Sequence, residues 1–436
     1  MYWQSELETM PRPRLEALQV KRLQDAVARA TCSPHYSAEF SRRGITPEAI
    51  GSLDDLRRIP FTTKEDLREH YPDGFLCTPR ADAVRLHCSS GTTGNPTVIF
   101  HNRHDLDSWA NFVARSLYAV GARPGDVFQN ICGYGLFTGG LGFQYGAEKL
   151  GALTIPAGSG NSRRQIKLMR DFDTTVAHAI PSYLVRLYDV FSELELDPIR
   201  DTHLRLLIIG AEPHSEETRQ RVQAMFGVPA YNSYGLSEMN GPGVAFECTE
   251  QCGLHMWEDG YILEVVHPET LEPVPDGEQG ELVLTTLDRQ AMPILRYRTR
   301  DLSRVIPGTC ACGRTHRRID RIMGRSDDMF IIKGCNVFPV QIERILMRIA
   351  EVGHDYLIVL DRIDGIDQML IKVEVHPEWF TGDLSALEKL ESRIRRDVRD
   401  EVLVTPRVQL VEPGGLPKPE GKAVRVDDRR NLTEEG

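Results

Sequence analysis

The residues best suited to chemistry form a short loop at positions 89–94, Ser-Ser-Gly-Thr-Thr-Gly. Apolar runs flank it, Val84–Cys88 before and Thr97–Phe100 after, and both are typical of β-strands. Bare backbone N–H groups and short hydroxyl side chains are the donors that a polyphosphate requires. No Gly-Lys-Ser/Thr ends the loop, so it is not a Walker A loop. The composition suits a solvent-exposed hairpin turn equally well, and the loop alone leaves both interpretations open.

A second group of residues has the composition of a metal site. Cys310 and Cys312 lie one residue apart on a glycine-containing knuckle, and Cys248 and His255 precede them in the chain. Thiolate and imidazole groups in this number complement a closed tetrahedral zinc site. Free buried cysteines are the alternative interpretation, although two cysteines at this spacing on a glycine turn seldom belong to a core. We predict a structural zinc ion, with Cys252 as the alternative ligand to His255.

Length and composition indicate a globular enzyme of more than one domain. The chain has 436 residues, 41% of them hydrophobic and 26% charged, which exceeds what one core supports. The net charge of −11 argues against nucleic acid or an anionic membrane as the main partner. No apolar run reaches a membrane-spanning length, and the first residues do not resemble a signal peptide. Nine cysteines, an odd number, favour a reducing, cytoplasmic location.

The elements that must position these residues alternate between strands and helices. From Asp105 to Phe226 helical and extended segments follow one another, which predicts βαβ units on a mostly parallel sheet. The glycine-rich stretch 130–142 is predicted to lack regular structure, with a helix from Gln144. A β-rich module follows at about 245–320. The fold class is therefore α/β, with a large domain at 1–324 and a small, mobile α+β domain at 325–436.

Three further stretches carry groups that bind nucleotides. Gly210–Pro213 directly follows the buried strand Leu204–Ile209, and the carboxyl ends of parallel strands are where ligands bind. Tyr231–Glu238 joins aromatic rings to a carboxylate across a glycine turn, so that a ring could stack on a base and Glu238 could hold Mg²⁺. Arg296–Asp301 adds an aspartate to a row of cations. Taken singly, each stretch also suits a turn or a solvated charge cluster.

Taken together and in this order, the motifs resemble those of the adenylate-forming enzymes. The closer resemblance is to the phenylacetate–CoA ligase branch. The motifs that carry it are Ser89–Gly94, Tyr134–Gly142, Tyr234–Glu238, Gly241–Val244, His255–Asp259, Tyr297–Asp301, Gly324–Asp328, Ile331–Pro339 and Leu416–Lys422. The resemblance runs from about residue 10 to about residue 430. Some members of this branch carry a zinc site, which supports that prediction.

The resemblance implies a role for each matched position. Phosphates of ATP would contact Ser89, Ser90, Gly91, Thr92, Thr93 and Gly94. Adenine and ribose would contact Gly210, Ala211, Glu212, Pro213, Asn232, Ser233, Tyr234, Gly235, Leu236, Ser237, Asp301 and Arg325. Glu238 would bind Mg²⁺, Asp327 would be the hinge of the small domain, and Lys333 and Gly334 would lie near coenzyme A. Lys422 would offset the charge of the two anions that meet when a carboxylate attacks the α-phosphate.

The side chain of the acid needs an apolar slot, and the stretch 134–142 offers glycines beside aromatic rings. The candidates are Tyr134, Phe137, Gly139, Gly140, Ala211 and Pro242. Such a slot fits an aryl or arylacetic acid better than a long fatty acid. Aromatic residues that merely belong to the core are the alternative interpretation.

Two positions depart from the family pattern. Asn95 stands where the phosphate loop usually has lysine, and Arg300 stands where the family has glycine. We hypothesise that Arg300 partly restores the lost charge, although a surface arginine in register with Arg296 and Arg298 is an equal alternative. The resemblance implies an AMP-forming ligase that uses ATP, Mg²⁺ and coenzyme A to activate an acid such as phenylacetate, and a homodimer is compatible with it. The alternatives are an adenylyltransferase similar to coenzyme F390 synthetase and a catalytically weakened nucleotide-binding relative.

Overall fold

The computed structural model describes residues 1–88, 95–332, 334–363, 366–417 and 424–430. These residues form two compact units. The first unit comprises residues 1–179, 201–211 and 229–322, and the second comprises 180–200, 212–228 and 323–436. The second unit therefore takes in two segments from the middle of the chain, which the bounds 1–324 and 325–436 assign to the large domain. Within the described residues, no helix is long and apolar enough to cross a membrane.

Helices and strands alternate through most of the chain. The helices are α1 (Ser5–Glu8), α2 (Arg12–Ala30), α3 (Pro34–Arg43), α4 (Lys64–Glu69), α5 (Arg103–Ala119), α6 (Thr138–Leu150), α7 (Ser162–Asp171), α8 (Pro181–Glu193), α9 (Pro198–Asp201), α10 (Glu216–Phe226), α11 (Pro339–Met347) and α12 (Leu384–Val402). Short 3-10 helices are Pro47–Ala49, Leu53–Arg58, Arg80–Asp82, Ser237–Met239 and Pro377–Trp379.

The strands of the first unit are β1 (Arg85–Cys88), β2 (Val98–His101), β3 (Val127–Asn130), β4 (Leu153–Ile155), β5 (Val176–Ala179), β6 (Leu206–Gly210), β7 (Ala230–Leu236), β8 (Gly241–Phe246), β9 (Leu254–Met256), β10 (Tyr261–Val266), β11 (Gly280–Thr286), β12 (Tyr297–Ser303), β13 (Val305–Ile306) and β14 (Arg318–Ile319). Those of the second unit are β15 (Gly324–Arg325), β16 (Phe330–Ile332), β17 (Cys335–Val337), β18 (Val352–Ile363), β19 (Ile366–Val375), β20 (Arg407–Val411) and β21 (Val426–Asp428).

The largest sheet of the first unit is mixed. Its strand order is β13-β14-β9-β8-β7-β6-β5-β3-β4. Pairing is parallel from β4 to β7 and antiparallel from β7 to β13. The prediction of a mostly parallel sheet holds for the βαβ half only. The connections from β7 to β8 and from β8 to β9 are too short for a crossover helix, so the chain returns antiparallel there.

Helix α6 begins six residues earlier than the sequence predicts, at Thr138 rather than Gln144. The prediction was wrong because glycine content was taken to exclude a helix. Here the glycines permit close helix packing instead. A Cβ atom on Gly142 would lie 2.4 Å from the ring of Trp109, and one on Gly146 would lie 2.3 Å from Val113, both on α5. The packing of α5 against α6 outweighs the low helix propensity of glycine.

The β-rich module forms a smaller antiparallel sheet in which β11 lies between β10 and β12. The register of β11 and β12 shifts between the pairs Val283↔Arg298 and Glu281↔Leu302. Between these pairs, Leu282 of β11 lies opposite residues 299–301 of β12, so β12 carries a bulge there. Bulges of this kind turn a side chain away from the regular alternation of a strand. The bulge positions Asp301.

The second unit has its own sheet, of order β20-β19-β18-β21, and its own hydrophobic core. Helix α12 buries Leu390, Ile394, Val398 and Val402, one face of a helix. The mid-chain segment with α10 is tied to α11 by hydrogen bonds. Glu343 Oε1 accepts from the Ser215 backbone N–H at 3.0 Å, and Arg221 donates to the carbonyl of Met347 at 2.8 Å. These bonds explain why residues 212–228 belong to this unit.

Candidate functional site

The hydroxyl-rich loop connects two strands that pair with each other. β1 and β2 form an antiparallel hairpin in which Cys88 lies opposite Val98. The strand predictions on both sides of the loop are confirmed, whereas Ser89–Gly94 itself lies outside the described residues. Asn95, which follows the loop, is exposed, and its Nδ2 donates to the carbonyl of Arg68 at 3.5 Å. The hairpin thus anchors both ends of the predicted phosphate loop.

The carboxyl end of β6 lies beside the middle of β7, so two of the predicted nucleotide-binding stretches are neighbours. Gly210 is paired with Ser233, and a Cβ atom on Gly210 would lie 2.4 Å from Ser233 Oγ. Ser233 Oγ donates to the carbonyl of Ile209 at 3.0 Å, which fixes the close approach. Ala211 then takes a left-handed conformation, φ 67°, so the chain turns sharply at the strand end.

Glu212 uses its side chain inside the second unit. Its two carboxylate oxygens accept from the Ser182 backbone N–H at 2.7 Å and from Ser182 Oγ at 3.0 Å. Ser182 lies in the first turn of α8, where a carboxylate satisfies free N–H groups and complements the helix dipole. A contact of Glu212 with adenine would therefore come from its backbone.

Tyr234 and Asp301 are brought together although 67 residues separate them. The Tyr234 hydroxyl donates to Asp301 Oδ2 at 2.7 Å, and both residues are buried. The bulge in β12 positions the aspartate, whose backbone N–H donates to Thr299 Oγ1 at 3.0 Å. A carboxylate held this way can accept from the hydroxyls of a ribose while the tyrosine ring offers a face to a base.

Glu238 lies in the 3-10 helix that follows β7 and is 7% exposed. Among the described residues its carboxylate has no ion-pair partner, which suits a group that binds a metal ion. Its carbonyl accepts from Arg289 Nη1 at 2.7 Å, and Arg289 Nη2 donates to the carbonyl of Phe100 on β2 at 3.2 Å. Arg289 therefore fixes the turn that carries Glu238 relative to the hairpin of the phosphate loop.

The stretch Tyr231–Glu238 was predicted to contain a glycine turn, and the structure instead shows strand β7 up to Leu236, followed by the 3-10 helix from Ser237. Gly235 lies within β7, paired with Pro242 of β8. A Cβ atom on Gly235 would lie 1.8 Å from the carbonyl oxygen of Gly241. The glycine is required by the approach of a neighbouring backbone rather than by a reversal of the chain.

The predicted acid-pocket residues cluster around the start of α6. Tyr134 is half-buried, Phe137 is 55% exposed and Gly139 has open space beside it. A Cβ atom on Gly140 would lie 3.1 Å from the Tyr134 ring, so the ring rests against the helix backbone. Pro242 accepts from Trp109 Nε1 at 2.8 Å through its carbonyl.

Of the predicted residues in the carboxyl-terminal part, Arg325 and Asp327 lie together. Arg325 Nε and Nη2 donate to the two carboxylate oxygens of Asp327, both at 2.9 Å, in a bidentate pair. Gly334 follows β16 in an exposed turn with φ 81°. Lys333 and Lys422 lie outside the described residues.

The predicted metal ligands converge at the edge of the large sheet. The ligand atoms of Cys248, His255, Cys310 and Cys312 all lie within 4.8 Å of one another. Cys248 Sγ is 3.7 Å from Cys310 Sγ, and Cys312 Sγ is 3.4 Å from His255 Nε2. Zinc–sulfur bonds of about 2.3 Å give a tetrahedron with edges of about 3.8 Å, so the spacing fits such an ion. Cys252 is exposed and is not part of this group.

The thiols of this cluster do not titrate alike. The pKa of Cys312 is lowered to about 2, mainly by its hydrogen bond with Cys248 and to a smaller extent by that with His255. Burial opposes this shift. Burial raises the pKa of Cys310, and the pKa of Cys248 is raised by its hydrogen bond to Cys312. The thiolate form of Cys312 is thus stabilised by its neighbours. Cys248 and Cys310 would need a nearby cation to lose their protons.

The amino-terminal residues pack against the segment that carries two of these cysteines. Tyr2 donates its hydroxyl proton to the carbonyl of Cys312 at 2.9 Å. Arg314 Nε forms a buried ion pair with Glu8 Oε2 at 2.7 Å, with side chains 2% and 0% exposed. The Thr315 backbone N–H donates to the carbonyl of Glu8 at 3.1 Å. The first turn of the chain is thus fastened to the cysteine knuckle.

Three residues at the site were missed by sequence reasoning. Arg289 lies in an irregular segment without periodicity, so nothing in the sequence indicates that it is buried. Trp109 lies on the regular apolar face of α5 and is indistinguishable there from an ordinary core residue. Thr138, whose Oγ1 lies 3.3 Å from Ser237 Oγ, starts a helix that the glycine content concealed.

Comparison with known proteins decides the family. The AMP-binding enzyme model matches residues 46–287, and the AMP-binding enzyme C-terminal domain model matches 334–430. The phenylacetate-coenzyme A ligase of Thermus thermophilus is 46% identical over 99% of this chain and 100% of its own. The chain belongs to the phenylacetate–CoA ligase branch of the AMP-binding enzymes. The phenylacetate-coenzyme A ligase of Escherichia coli is 42% identical over 98% of this chain and 97% of its own.

A solved structure extends the comparison to the fold. A 2-hydroxyisobutyryl-CoA ligase in the postadenylation state, in complex with 2-HIB-AMP, matches this phenylacetate–CoA ligase-branch chain with a TM-score of 0.93. The two sequences are 30% identical, and the match covers 99% of this chain and 93% of the other. The adenylate-forming fold predicted from the motifs is confirmed.

Arg300 is one of the two positions at which the chain departs from the pattern of the phenylacetate–CoA ligase branch. Its φ is 66°, a conformation in which glycine is favoured and arginine carries a steric cost. Arg300 Nη1 lies 3.8 Å from Glu281 Oε2, and Arg298 holds the same oxygen at 2.8 Å. Arg296 is paired with Glu264 at 2.8 Å. Arg300 thus makes the longest ion pair of the three arginines, and its positive charge is the least neutralised.

We predict that Asn95→Lys lowers the KM for ATP about threefold in the wild-type background. In the Arg300→Gly background the same substitution should lower the KM by more, because the guanidinium of Arg300 is then absent. Exposed charges contribute about 0.2–1 kcal/mol each, or up to about fivefold in affinity. Pyrophosphate exchange for both single variants and the double variant gives the coupling. Strictly additive effects would show that Arg300 does not compensate for Asn95.

Proposed function

We propose that the protein is an AMP-forming phenylacetate–CoA ligase, which converts phenylacetate, ATP and coenzyme A into phenylacetyl-CoA, AMP and pyrophosphate. The observation that carries the proposal is the 46% identity to a phenylacetate-coenzyme A ligase over 99% of the chain. The paired Tyr234 and Asp301 would supply nucleotide contacts that this reaction needs. No described residue of the site contradicts this assignment.

The reaction would proceed in two steps. An oxygen of the phenylacetate carboxylate attacks the α-phosphorus of ATP, and pyrophosphate leaves with the electron pair of the broken P–O bond. The thiol of coenzyme A, after losing its proton, then attacks the carbonyl carbon of the mixed anhydride, and AMP leaves. Both steps bring anions together, so their rates depend on cationic groups placed where charge develops.

Individual residues would bind and orient the reactants. Ser89–Gly94 would donate to the phosphates, and Asp301 would accept from the ribose hydroxyls while Tyr234 holds that aspartate in place. Glu238 would hold Mg²⁺, which when bound neutralises phosphate charge; its buried carboxylate, without a described cationic partner, fits that role. Lys422 would contact the α-phosphate, and Lys333 with Gly334 would lie near coenzyme A.

We also propose that Cys248, His255, Cys310 and Cys312 hold a structural zinc ion. The donor types, their burial and the 3.4 to 3.7 Å spacings support this. Such an ion would join the ends of β8 and β9 to the knuckle between β13 and β14. No open coordination position is needed for the proposed reaction, so the ion would stabilise the sheet edge.

An acid panel tests the activity. Release of AMP is measured with phenylacetate, benzoate, hexanoate and 2-hydroxyisobutyrate, with and without coenzyme A. We expect phenylacetate to give the highest kcat/KM, by about tenfold or more, since one methylene in an apolar pocket is worth about 1–3 kcal/mol. Release should depend on coenzyme A and yield a thioester.

Other results would overturn the proposal in recognisable ways. A stable AMP conjugate formed without thiol would indicate the adenylyltransferase similar to coenzyme F390 synthetase, which none of the relatives compared above favours. Absence of acid-dependent pyrophosphate exchange with every acid would indicate a weakened nucleotide-binding relative. A clear preference for benzoate or hexanoate would keep the reaction but replace the substrate.

A further inference from the structure

A chain of hydrogen bonds runs from the predicted acid pocket into the core of the first unit. Asn130 Nδ2 donates to the Tyr134 hydroxyl oxygen at 3.1 Å and to the carbonyl of Gly140 at 2.7 Å. Asn130 Oδ1 accepts from His178 Nδ1 at 2.9 Å, and His178 Nε2 lies 3.7 Å from Cys132 Sγ. Tyr134 and Gly140 belong to the residues that the sequence assigns to substrate binding, whereas Asn130, His178 and Cys132 do not.

The proton positions in this network follow from the chemistry of its ends. The Gly140 carbonyl can only accept, so the amide of Asn130 must direct its nitrogen toward that oxygen and toward Tyr134. Its oxygen then accepts from His178, so that Nδ1 carries the proton and Nε2 accepts from the thiol of Cys132. Burial lowers the pKa of His178 to about 3, so the ring remains neutral and keeps this tautomer.

The network is rigid because its middle is buried. Asn130 and His178 are 0% and 1% exposed, and they face each other at the ends of the parallel strands β3 and β5. The Phe143 ring lies over the imidazole, with ring centroids 3.7 Å apart. Neither side chain has room to change rotamer without displacing the strand ends or α6.

The consequence is a defined direction for the Tyr134 hydroxyl group. Because its oxygen accepts from Asn130, its own proton must point away from the network. Burial raises the pKa of Tyr134, so the hydroxyl keeps that proton. The ring is half-buried beside Gly140, and the adjacent Gly139 has open space where a Cβ atom would lie. No hydrogen bond within the described residues takes up this proton, so a bound aryl acid can supply the acceptor.

We propose that Asn130 and His178 are positioning residues that aim the Tyr134 hydroxyl proton at the ring substituent of the bound acid. The enzyme would accordingly accept arylacetic acids that carry a hydroxyl group on the ring, and Tyr134 would recognise that oxygen. The inference rests on the proposed function, since it takes the space beside Tyr134 as the acid pocket.

The test measures discrimination between acids rather than activity alone. The ortho, meta and para isomers of hydroxyphenylacetate are each compared with phenylacetate, as a ratio of kcat/KM values, for wild type, Tyr134→Phe, His178→Leu and the double variant. For the best hydroxylated acid we expect each single variant to lower this ratio about three- to tenfold, the worth of one neutral hydrogen bond, and the double variant to lower it no further. His178→Asn, which retains a donor near the position of Nδ1, should stay within about twofold of wild type.

The controls separate this inference from the proposed function. If His178→Leu does not fold, His178→Gln replaces it, because glutamine keeps a polar group near the position of Nε2 but none at that of Nδ1. Dissociation constants of the same acids, measured by calorimetry, provide the ratio even for a protein without turnover. Absence of turnover would overturn the proposed function. Ratios that do not change in Tyr134→Phe, or losses that add in the double variant, would overturn the network.

Discussion

Lys422→Ala is expected to abolish acid activation while sparing the second half-reaction. We expect the rate of pyrophosphate exchange to fall about 10²–10³-fold, the loss found when one preorganised donor at a developing charge is removed. Conversion of preformed phenylacetyl-adenylate and coenzyme A to the thioester should remain within about threefold of wild type. The physical reason is that only the first step brings a carboxylate against the α-phosphate.

The same carboxyl-terminal segment offers a matched control. Lys418→Ala removes a lysine four residues away in the same Pro- and Gly-rich sequence and, because no role in either step is proposed for it, should change either half-reaction by less than about twofold. Single-turnover measurements of each half-reaction distinguish the variants. Equal losses in both half-reactions of Lys422→Ala would refute the role proposed for this lysine.

Loss of the proposed zinc ion should destabilise the protein without altering its chemistry. Elemental analysis is expected to find about one zinc per wild-type chain and almost none in Cys310→Ser, because a closed site needs all its ligands. We expect the midpoint of thermal unfolding to fall by about 5–10 °C, since an ion that binds only the folded state stabilises it. At temperatures below its unfolding midpoint, the kcat of Cys310→Ser should differ from that of wild type by less than about twofold.

Two cysteines outside the cluster provide controls for the metal experiment. Cys252→Ser tests the alternative ligand near His255 in the sequence, and Cys335→Ser removes a thiol from the second unit. Both should retain zinc and wild-type melting. If Cys252→Ser loses the ion while His255→Ala keeps it, the ligand set is Cys252 with the three other cysteines. If wild-type protein binds no zinc at any concentration, the cluster consists of free thiols.

The sequence was sufficient for elements whose signals are local. Thr63 caps α4 with its hydroxyl, ahead of an acidic first turn, which is a signal readable from the sequence alone, and the strands around the hydroxyl-rich loop lie within one residue of their predicted bounds. Where packing decides, local signals were misleading. The glycines of α6 indicate a break in the helix if only the sequence is considered. The structure shows that they allow Trp109 and Val113 of α5 to pack closely against α6. The antiparallel half of the large sheet depends likewise on connections rather than on strand patterns.

The candidate site divides in the same way. Motifs of chemically special residues predicted Tyr234, Asp301 and the four metal ligands, which the structure brings together from distant parts of the chain. Arg289 carries no such mark, because a buried guanidinium is recognised only from the carbonyls it contacts. Burial also lowers its pKa, which shows how much it depends on those contacts.

The ion pair of Glu8 with Arg314 links the state of the cysteine knuckle to the start of the polypeptide. Loss of the proposed zinc ion would loosen the knuckle and with it helix α1. Proteases attack loosened segments, so the form without the proposed ion would be degraded selectively. Zinc supply would then determine how many enzyme molecules a cell maintains, while each surviving molecule works at an unchanged rate.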